Sequence, residues 1–178
     1  HKIWLHYDGA RLLKALVARN EKPEDYGRLF HSISVCFNKG VGCPAGSVLL
    51  GTRDFIRQAR RVRKVFGGGM RQAGYYAATA LYALDHHVGR LAEDHEHAKR
   101  IADALNSSPA VGPIAPVETN LVIFEPAAGY DPKTFIASMK AAGILLLPVS
   151  ATRLRMVTHL DISSAMTDTV CRAIKDLF

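Results

Sequence analysis

The strongest constraint on the fold comes from the N-terminal stretch, where a short apolar run is followed by an acid, a glycine and an amphipathic segment. Trp4 to Tyr7 predicts a buried strand ending at Asp8-Gly9, and Ala10 to Arg19 has the helical spacing of apolar residues. A strand, a turn with an acid and a helix indicate an α/β fold. An acid at the carboxyl end of such a strand points into the crevice where ligands bind.

A glycine-rich loop joins the next two predicted strands. Ser32 to Phe37 and Ser47 to Leu50 are β-prone runs, and Asn38 to Gly46 lies between them. The glycine spacing differs from a dinucleotide-binding fingerprint, because its last gap is one residue too long and a strand follows it. Without a helix N-terminus to receive a pyrophosphate, we exclude that class of site.

Helices dominate the middle of the chain. Asp54 to Val65 predicts a helix that Gly67-Gly68-Gly69 interrupts, and Met70 to Leu105 predicts one long helix or a helix pair. Asn106 to Pro116, with three prolines, predicts a linker. The elements predicted after it are strands at Asn120–Phe124, Ile144–Pro148 and Leu154–Thr158 and helices at Pro132–Ala142 and Ser164–Phe178.

This order predicts two domains. Residues 1–105 would form the C-terminal part of a large domain with its connecting helix, and residues 106–178 a small α+β domain. The first residues carry neither an initiator methionine nor a signal-peptide pattern and are interpreted as a strand already under way, so we expect the chain to be part of something larger.

Composition excludes several classes of protein. At 178 residues and 48% hydrophobic, the chain can bury a core, and no stretch approaches the roughly 18 uncharged apolar residues of a membrane-spanning helix. Three cysteines without Cys-x-x-Cys spacing predict a reducing, cytosolic compartment. The net charge of +7 and the basic run from Arg57 to Lys64 would attract phosphates, anionic substrates or nucleic acid. Nucleic-acid binding is disfavoured because no aromatic stacking platform accompanies the run.

Individual residues suggest a site, each with a plainer interpretation. Asp8 and Arg11 can reach one crevice, but an acid and an arginine at a helix start can also serve as cap and outer face. Lys39 lies on a constrained loop of small residues that leaves room for a planar ligand, where a partly desolvated amine is a usable nucleophile; otherwise it is a solvated lysine. Lys64 and Arg71 flank a glycine turn, which suits a phosphate or carboxylate or simply a helix break.

A metal site is not predicted. His86, His87, His95 and His97 lie one or two residues apart in pairs, and neighbours at that spacing on a helix do not face each other. Cysteine partners at zinc spacing do not accompany them.

Taken in order, five stretches resemble the successive signature blocks of the low-specificity L-threonine aldolases, over the whole given length. They are LHYDGARLL, SISVCFNKGVGCPAGSVLLG, RRVRKVFGGGMRQAG, ALDHHVGRLAEDHEHAKRIADAL and LRMVTHLDIS. The resemblance implies a fold-type-I pyridoxal-phosphate enzyme, normally a homotetramer built from dimers, acting on β-hydroxy-amino acids.

The resemblance also implies roles for single residues. Lys39 would form the Schiff base with pyridoxal 5'-phosphate, Asp8 would pair with its pyridine nitrogen and Arg11 would contact its phenolic oxygen. The residues expected near the phosphate are Lys64, Arg71 and Asn38, the last standing where the family has a serine. Arg155 would grip the substrate carboxylate. The family's upstream half, which carries a phosphate-binding loop and two histidines, has no counterpart here.

The implied reaction is retro-aldol cleavage of L-threonine or L-allo-threonine to glycine and acetaldehyde. Another fold-type-I enzyme, such as a β-eliminating lyase or a hydroxymethyltransferase relative, is the rival enzyme. The residues also permit a nucleic-acid binder or an inactive remnant with a structural role.

Overall fold

The computed structural model of the chain describes residues 3–178 and divides into two compact units, His1–Leu91 and Ala92–Phe178. Residues 1 and 2 of the predicted N-terminal strand lie outside the described residues. The first unit ends where helix Leu91–Asn106 begins, while the domain boundary placed after residue 105 stays a prediction. No helix within residues 3–178 is long and apolar enough to cross a membrane.

The first unit contains a three-stranded mixed sheet and four helices. Its strands are β1 (His6–Gly9), β2 (Ser32–Cys36) and β3 (Ser47–Gly51), in the order β1-β2-β3. The β1 and β2 strands are parallel, whereas β2 and β3 are antiparallel. Its helices are α1 (Leu12–Arg19), α2 (Pro23–Leu29), α3 (Arg53–Val65) and α4 (Gly74–His86).

One face of this sheet forms the core of the first unit. Ile33 and Val35 alternate with Ser34 along β2, and they are buried in the cluster that contains Leu12 and Leu16 of α1. Because successive side chains of a strand point to opposite faces, Ser34 lies on the other face of the sheet. The residues that pair with it in the neighbouring strands lie on that face too. The polar residues of β1 and β2 are therefore collected on one side.

The second unit is an antiparallel sheet with three helices. The strands β4 (Val111–Ile114), β5 (Leu121–Pro126), β6 (Leu147–Pro148) and β7 (Leu154–Val157) pair in the order β4-β5-β7-β6. Helices α5 (Leu91–Asn106), α6 (Pro132–Ala141) and α7 (Ser164–Leu177) supply the apolar residues that face it. In the core, the Phe124 and Phe135 ring centroids lie 5.4 Å apart and those of Phe135 and Phe178 lie 4.1 Å apart.

The α/β prediction is confirmed, and so is the glycine-rich loop between two strands. The segment from Met70 to Leu105 is a helix pair, α4 and α5, separated at residues 87–90. The prediction that Asn106 to Pro116 is only a linker is wrong, because β4 pairs with β5 through Val111 and Ile114. Its proline is tolerated because β4 is an edge strand.

Candidate functional site

Strand register collects several polar residues on one face of the first sheet. His6 pairs with Ser32 and Asp8 pairs with Ser34, and paired residues of adjacent strands project to the same side. Cys36, two residues after Ser34, follows them on that face. The contact between His6 Nδ1 and Ser32 Oγ, at 2.8 Å, agrees with this assignment. The face carries the carboxylate of Asp8 and the thiol of Cys36 at the carboxyl ends of two parallel strands, and the serine hydroxyls lie earlier along β2.

Asp8 lies at the end of β1 and is solvent-exposed. Its Oδ1 accepts a hydrogen bond from Ala10 N at 3.2 Å, which holds the turn between β1 and α1. The helix itself begins after Arg11, and Asp8 does not occupy its N-cap position. The turn needs a small residue, because a Cβ on Gly9 would lie 2.6 Å from the Ser34 carbonyl oxygen.

Lys39 stands on a loop that backbone hydrogen bonds hold closed. Phe37 N donates to Gly46 O at 3.1 Å, and Cys43 N donates to Phe37 O at 3.0 Å. Gly42 and Gly46 have φ angles of 74° and 106°, the left-handed region that favours glycine. The far side of the loop is anchored in the core by Val41, which is 1% exposed. A loop held this way presents Lys39 from a defined position.

The amine of Lys39 reaches back to the polar sheet face. Its Nζ lies 3.2 Å from the Sγ atom of Cys36, which is the last residue of β2. Since Cys36 and Asp8 share that face, the structure brings the amine of Lys39 and the carboxylate of Asp8 to the same side of the sheet, at the ends of neighbouring strands. The sequence alone suggested no role for Cys36, although this residue lies only three positions before Lys39.

Lys14 is a second residue that sequence reasoning missed. It is only 2% exposed on α1, and a Cβ on Gly40 would lie 2.3 Å from its Cε. The end of the lysine side chain therefore packs under the loop directly after Lys39, and a side chain at position 40 would require it to move. Its place among apolar positions of α1 was the only signal available in the sequence.

Arg11 and Asn38 follow β1 and β2, respectively. Arg11 is partly buried directly before α1, and its carbonyl accepts from Lys14 N and Ala15 N at 3.1 and 3.2 Å. Asn38 is exposed beside Lys39. Both therefore lie near the carboxyl ends of the two parallel strands, as Asp8 and Lys39 do.

Lys64 and Arg71 lie at the glycine turn after α3. Gly67 N and Gly68 N donate to the carbonyls of Lys64 and Arg63, at 3.1 and 2.8 Å, so the helix ends in a tight turn. A Cβ on Gly69 would lie 3.0 Å from Lys64 Nζ, so this amine lies over the turn. Lys64 and Arg71 are exposed, and within residues 3–178 no hydrogen bond or ion pair joins either to Asp8 or Lys39.

Arg155 belongs to β7 in the second unit, where it pairs with Ile123 and Leu147. It is half-buried, and its Nε is a buried donor without a hydrogen-bond partner among the described residues. The neighbouring Arg153 is already engaged, since its Nε donates to Glu125 Oε1 at 2.9 Å. Arg155 Nε is therefore a buried donor that still lacks an acceptor among the described residues.

The histidines are held by protein atoms. His87 Nδ1 lies 2.7 Å from Val41 O, and His97 Nε2 lies 3.0 Å from Ser164 Oγ. Within residues 3–178 no group of three or more His, Cys, Asp or Glu side chains could hold a metal ion.

Comparison with known proteins places the chain in a family. The profile of the beta-eliminating lyase family matches residues 1–128. The chain belongs to this family. Among its relatives, a probable low-specificity L-threonine aldolase 2 of Arabidopsis thaliana is 37% identical over 100% of this chain and 51% of its own length. A low specificity L-threonine aldolase of Escherichia coli K12 is 39% identical over 89% of this chain and 46% of its own.

A solved structure agrees with the fold. A putative L-allo-threonine aldolase from Listeria monocytogenes superimposes with a TM-score of 0.77 at 27% identity, over 99% of this chain and 52% of its own. The predicted fold type I of pyridoxal-phosphate enzymes and the resemblance to threonine aldolases are confirmed. The chain spans about half the length of the curated relatives it matches.

Proposed function

We propose that this chain is part of a pyridoxal-phosphate-dependent aldolase that cleaves L-threonine or L-allo-threonine to glycine and acetaldehyde. One observation carries the proposal. The 3.2 Å contact between Lys39 Nζ and Cys36 Sγ directs the loop amine toward the sheet face that also carries Asp8. An amine and a carboxylate on one face are the two groups that a pyridine aldehyde needs from the protein.

The residues present fit this cofactor. Lys39 offers a nucleophilic amine on a loop that backbone hydrogen bonds hold closed. Asp8 is exposed on the same face, with one oxygen engaged in its own turn. Bound there, pyridoxal phosphate supplies an electron sink for the pair left on Cα when the Cα–Cβ bond breaks.

Each residue then has a distinct task. Lys39 would hold the cofactor through Nζ, its nucleophilic amine. Asp8 would keep the pyridine nitrogen of the cofactor protonated, because a nearby carboxylate favours the charged form of the ring. Arg11, which directly precedes α1, would contact the phenolic oxygen. Asn38, Lys64 and Arg71 are assigned to the phosphate, as an amide and two cations suited to an anion.

Arg155 is assigned to the substrate carboxylate. Its unpartnered buried Nε supports this role, since a guanidinium with a free donor binds a carboxylate through parallel hydrogen bonds. The guanidinium would thus hold one end of the amino acid whose Cα–Cβ bond is cleaved. As that bond breaks, the hydroxyl loses its proton and Cα gains one, so threonine yields glycine and acetaldehyde with no other reactant.

The wider biology follows the family resemblance. We assign the protein to threonine catabolism and glycine formation, with other β-hydroxy-amino acids accepted, and to a homotetramer built as a dimer of dimers. Three free cysteines support a reducing cytosolic compartment. Neither a nucleic acid nor a membrane is part of this assignment.

The test compares the intact gene product with single lysine variants. The wild type should show the visible absorption of bound pyridoxal phosphate and convert threonine to acetaldehyde and glycine. Lys39→Ala should lose both, whereas Lys133→Ala, an exposed lysine of α6, should keep both. Ammonia and a keto acid as products would indicate β-elimination instead, and a wild type that never binds the cofactor would refute the assignment.

A further inference from the structure

The contact between Cys36 and Lys39 pairs two nucleophiles on one short segment. Cys36 is half-buried at the end of β2, Lys39 is exposed, and their Sγ and Nζ atoms lie 3.2 Å apart. Backbone hydrogen bonds from Phe37 to Gly46 and from Cys43 to Phe37 hold the loop between and after them. The conformation of this loop therefore places the thiol and the amine next to each other.

The other cysteines have different surroundings. Cys43 is 7% exposed and its Sγ lies 3.5 Å from Thr79 O. Cys171 Sγ lies 3.6 Å from Arg100 O, and burial raises the pKa of its thiol, which lowers its reactivity. The described hydrogen-bond partners of both sulfurs are backbone carbonyls, whereas that of Cys36 is an amine. Cys36 therefore has a chemistry that the other two lack.

We propose that Cys36 is an oxidation site for hydroperoxides and that its oxidised sulfur forms a reversible covalent bond with Lys39 Nζ. The S–N bond is the modification that this geometry assigns, and its formation requires the contact between the two residues and an oxidant but no cofactor. Its effect on catalysis rests on the proposed function, because the bond occupies the amine that would hold the cofactor.

The chemistry balances with the hydroperoxide as the only oxidant. The sulfur of Cys36 attacks one oxygen of the hydroperoxide, the O–O bond breaks, and the leaving oxygen takes the thiol proton. Sulfenic acid forms together with water from hydrogen peroxide, or with an alcohol from an organic hydroperoxide, so sulfur loses the two electrons that the peroxide gains. The lone pair of Lys39 Nζ then attacks the sulfur, the S–O bond breaks, and the departing hydroxide takes a proton from nitrogen as water. Sulfenic acids are known to condense with nitrogen in this way.

Thiols can reverse the S–N bond, and the bond protects the sulfur from further oxidation. A dithiol attacks the sulfur, the S–N bond breaks, and the amine leaves with a proton, after which the dithiol closes to its own disulfide and Cys36 is restored. While the bond exists, the sulfur is shielded from further oxidation to sulfinic acid. The enzyme would be switched off by peroxide and restored by reductant.

The test detects the S–N bond directly by mass spectrometry. Pyridoxal phosphate is first removed from the intact gene product with hydroxylamine, and the protein is then treated with hydrogen peroxide. Trypsin normally cuts after Arg28, Lys39 and Arg53. A bonded Lys39 is not cleaved, so a peptide of residues 29–53 should appear that is lighter by two hydrogen atoms than its unmodified form. Dithiothreitol should remove it and restore the 29–39 peptide.

Matched variants complete the design. Cys36→Ser and Lys39→Met should never give the lighter peptide, while Cys171→Ser should give as much of it as the wild type. If peroxide instead leaves Lys39 cleavable and converts Cys36 only to sulfinic or sulfonic acid, the proposal is overturned. Because this readout needs no cofactor, a protein that forms the bond but never binds pyridoxal phosphate would refute the proposed function alone.

Discussion

At the scale of single residues, the site depends on which face of a strand a side chain occupies. Asp8 shares its face with Ser34 and Cys36 because β1 and β2 are parallel and in register. Lys39 is not in the sheet, and its amine returns to that face only through its contact with Cys36 Sγ. A shift of one residue in the register would turn Asp8 toward the apolar core.

Replacing Asp8 by Asn tests the carboxylate. The amide cannot keep the pyridine nitrogen charged, so Asp8→Asn should still bind the cofactor while kcat for threonine cleavage falls by roughly a hundredfold or more. Visible absorption and steady-state kinetics measure the two effects separately. Asp176→Asn, near the end of α7, is the matched control and should behave as wild type. An unchanged kcat in Asp8→Asn would remove this residue from the mechanism.

Substitutions of two neighbouring arginines distinguish binding of the substrate carboxylate from a general effect of positive charge. Arg155→Lys should raise KM for threonine about tenfold or more, since losing a charge-assisted hydrogen bond costs about 1.5 to 3 kcal/mol. Arg153→Lys should leave KM near the wild-type value, because Arg153 is engaged by Glu125. Initial rates over a range of threonine concentrations distinguish them. Equal effects of both substitutions would contradict the role given to Arg155.

At the scale of elements, a side chain that caps a helix links stability to pH. Asp131 caps the N-terminus of α6, where its Oδ2 accepts from Thr134 N at 2.9 Å and Thr134 Oγ1 at 3.0 Å. These hydrogen bonds lower the pKa of Asp131 below its ordinary value. The ionised cap therefore stabilises the helix above the ordinary pKa of aspartate, and this contribution is lost as the pH falls through the lowered, folded-state pKa.

The corresponding measurement is urea denaturation of wild type and Asp131→Asn across pH. The wild type should be the more stable at neutral pH, and the difference in the free energy of unfolding should vanish in acid as the wild-type carboxyl is protonated. Asp161→Asn, an exposed residue outside any helix, serves as the control and should show a smaller pH-dependent difference. A difference independent of pH would mean that the ionised cap does not stabilise α6.

At the scale of the whole molecule, the first unit leaves much apolar surface exposed. A cavity of about 970 Å³ is lined mainly by apolar side chains of the sheet and of α1, α2 and α4. Leu81 on its rim is 65% exposed and Leu84 is 43% exposed. Apolar surface of this extent usually marks an interface.

The chain of residues 1–178 by itself should therefore self-associate as its concentration rises. The double substitution Leu81→Lys with Leu84→Lys should weaken that association, because it places charge on the apolar rim. Leu145→Lys in the second unit, where the leucine is 79% exposed, is the control and should leave it unchanged. Sedimentation velocity over a concentration series reports the result, and a monomer at every concentration would contradict the expectation.

Most of the elements were predictable because their signals are local. The spacing of Leu12, Leu13 and Leu16 predicts α1, and the glycines at 67–69 predict the end of α3. The strand predicted at Ile144–Pro148 shortens to Leu147–Pro148, because only these residues pair with β7. The α2 helix, which starts at Pro23, has too few apolar residues for a periodic signal.

The order of most strands and helices and of the family motifs follows from the sequence alone, since periodicity and motif spacing are properties of neighbouring residues. So does the choice of Asp8, Lys39 and Arg155 as candidates. Only the tertiary structure decided that β4 forms, that Lys14 lies buried under Gly40 and that the amine of Lys39 contacts Cys36. These depend on how the backbone folds in space and on which groups it brings into contact, which local pattern does not specify.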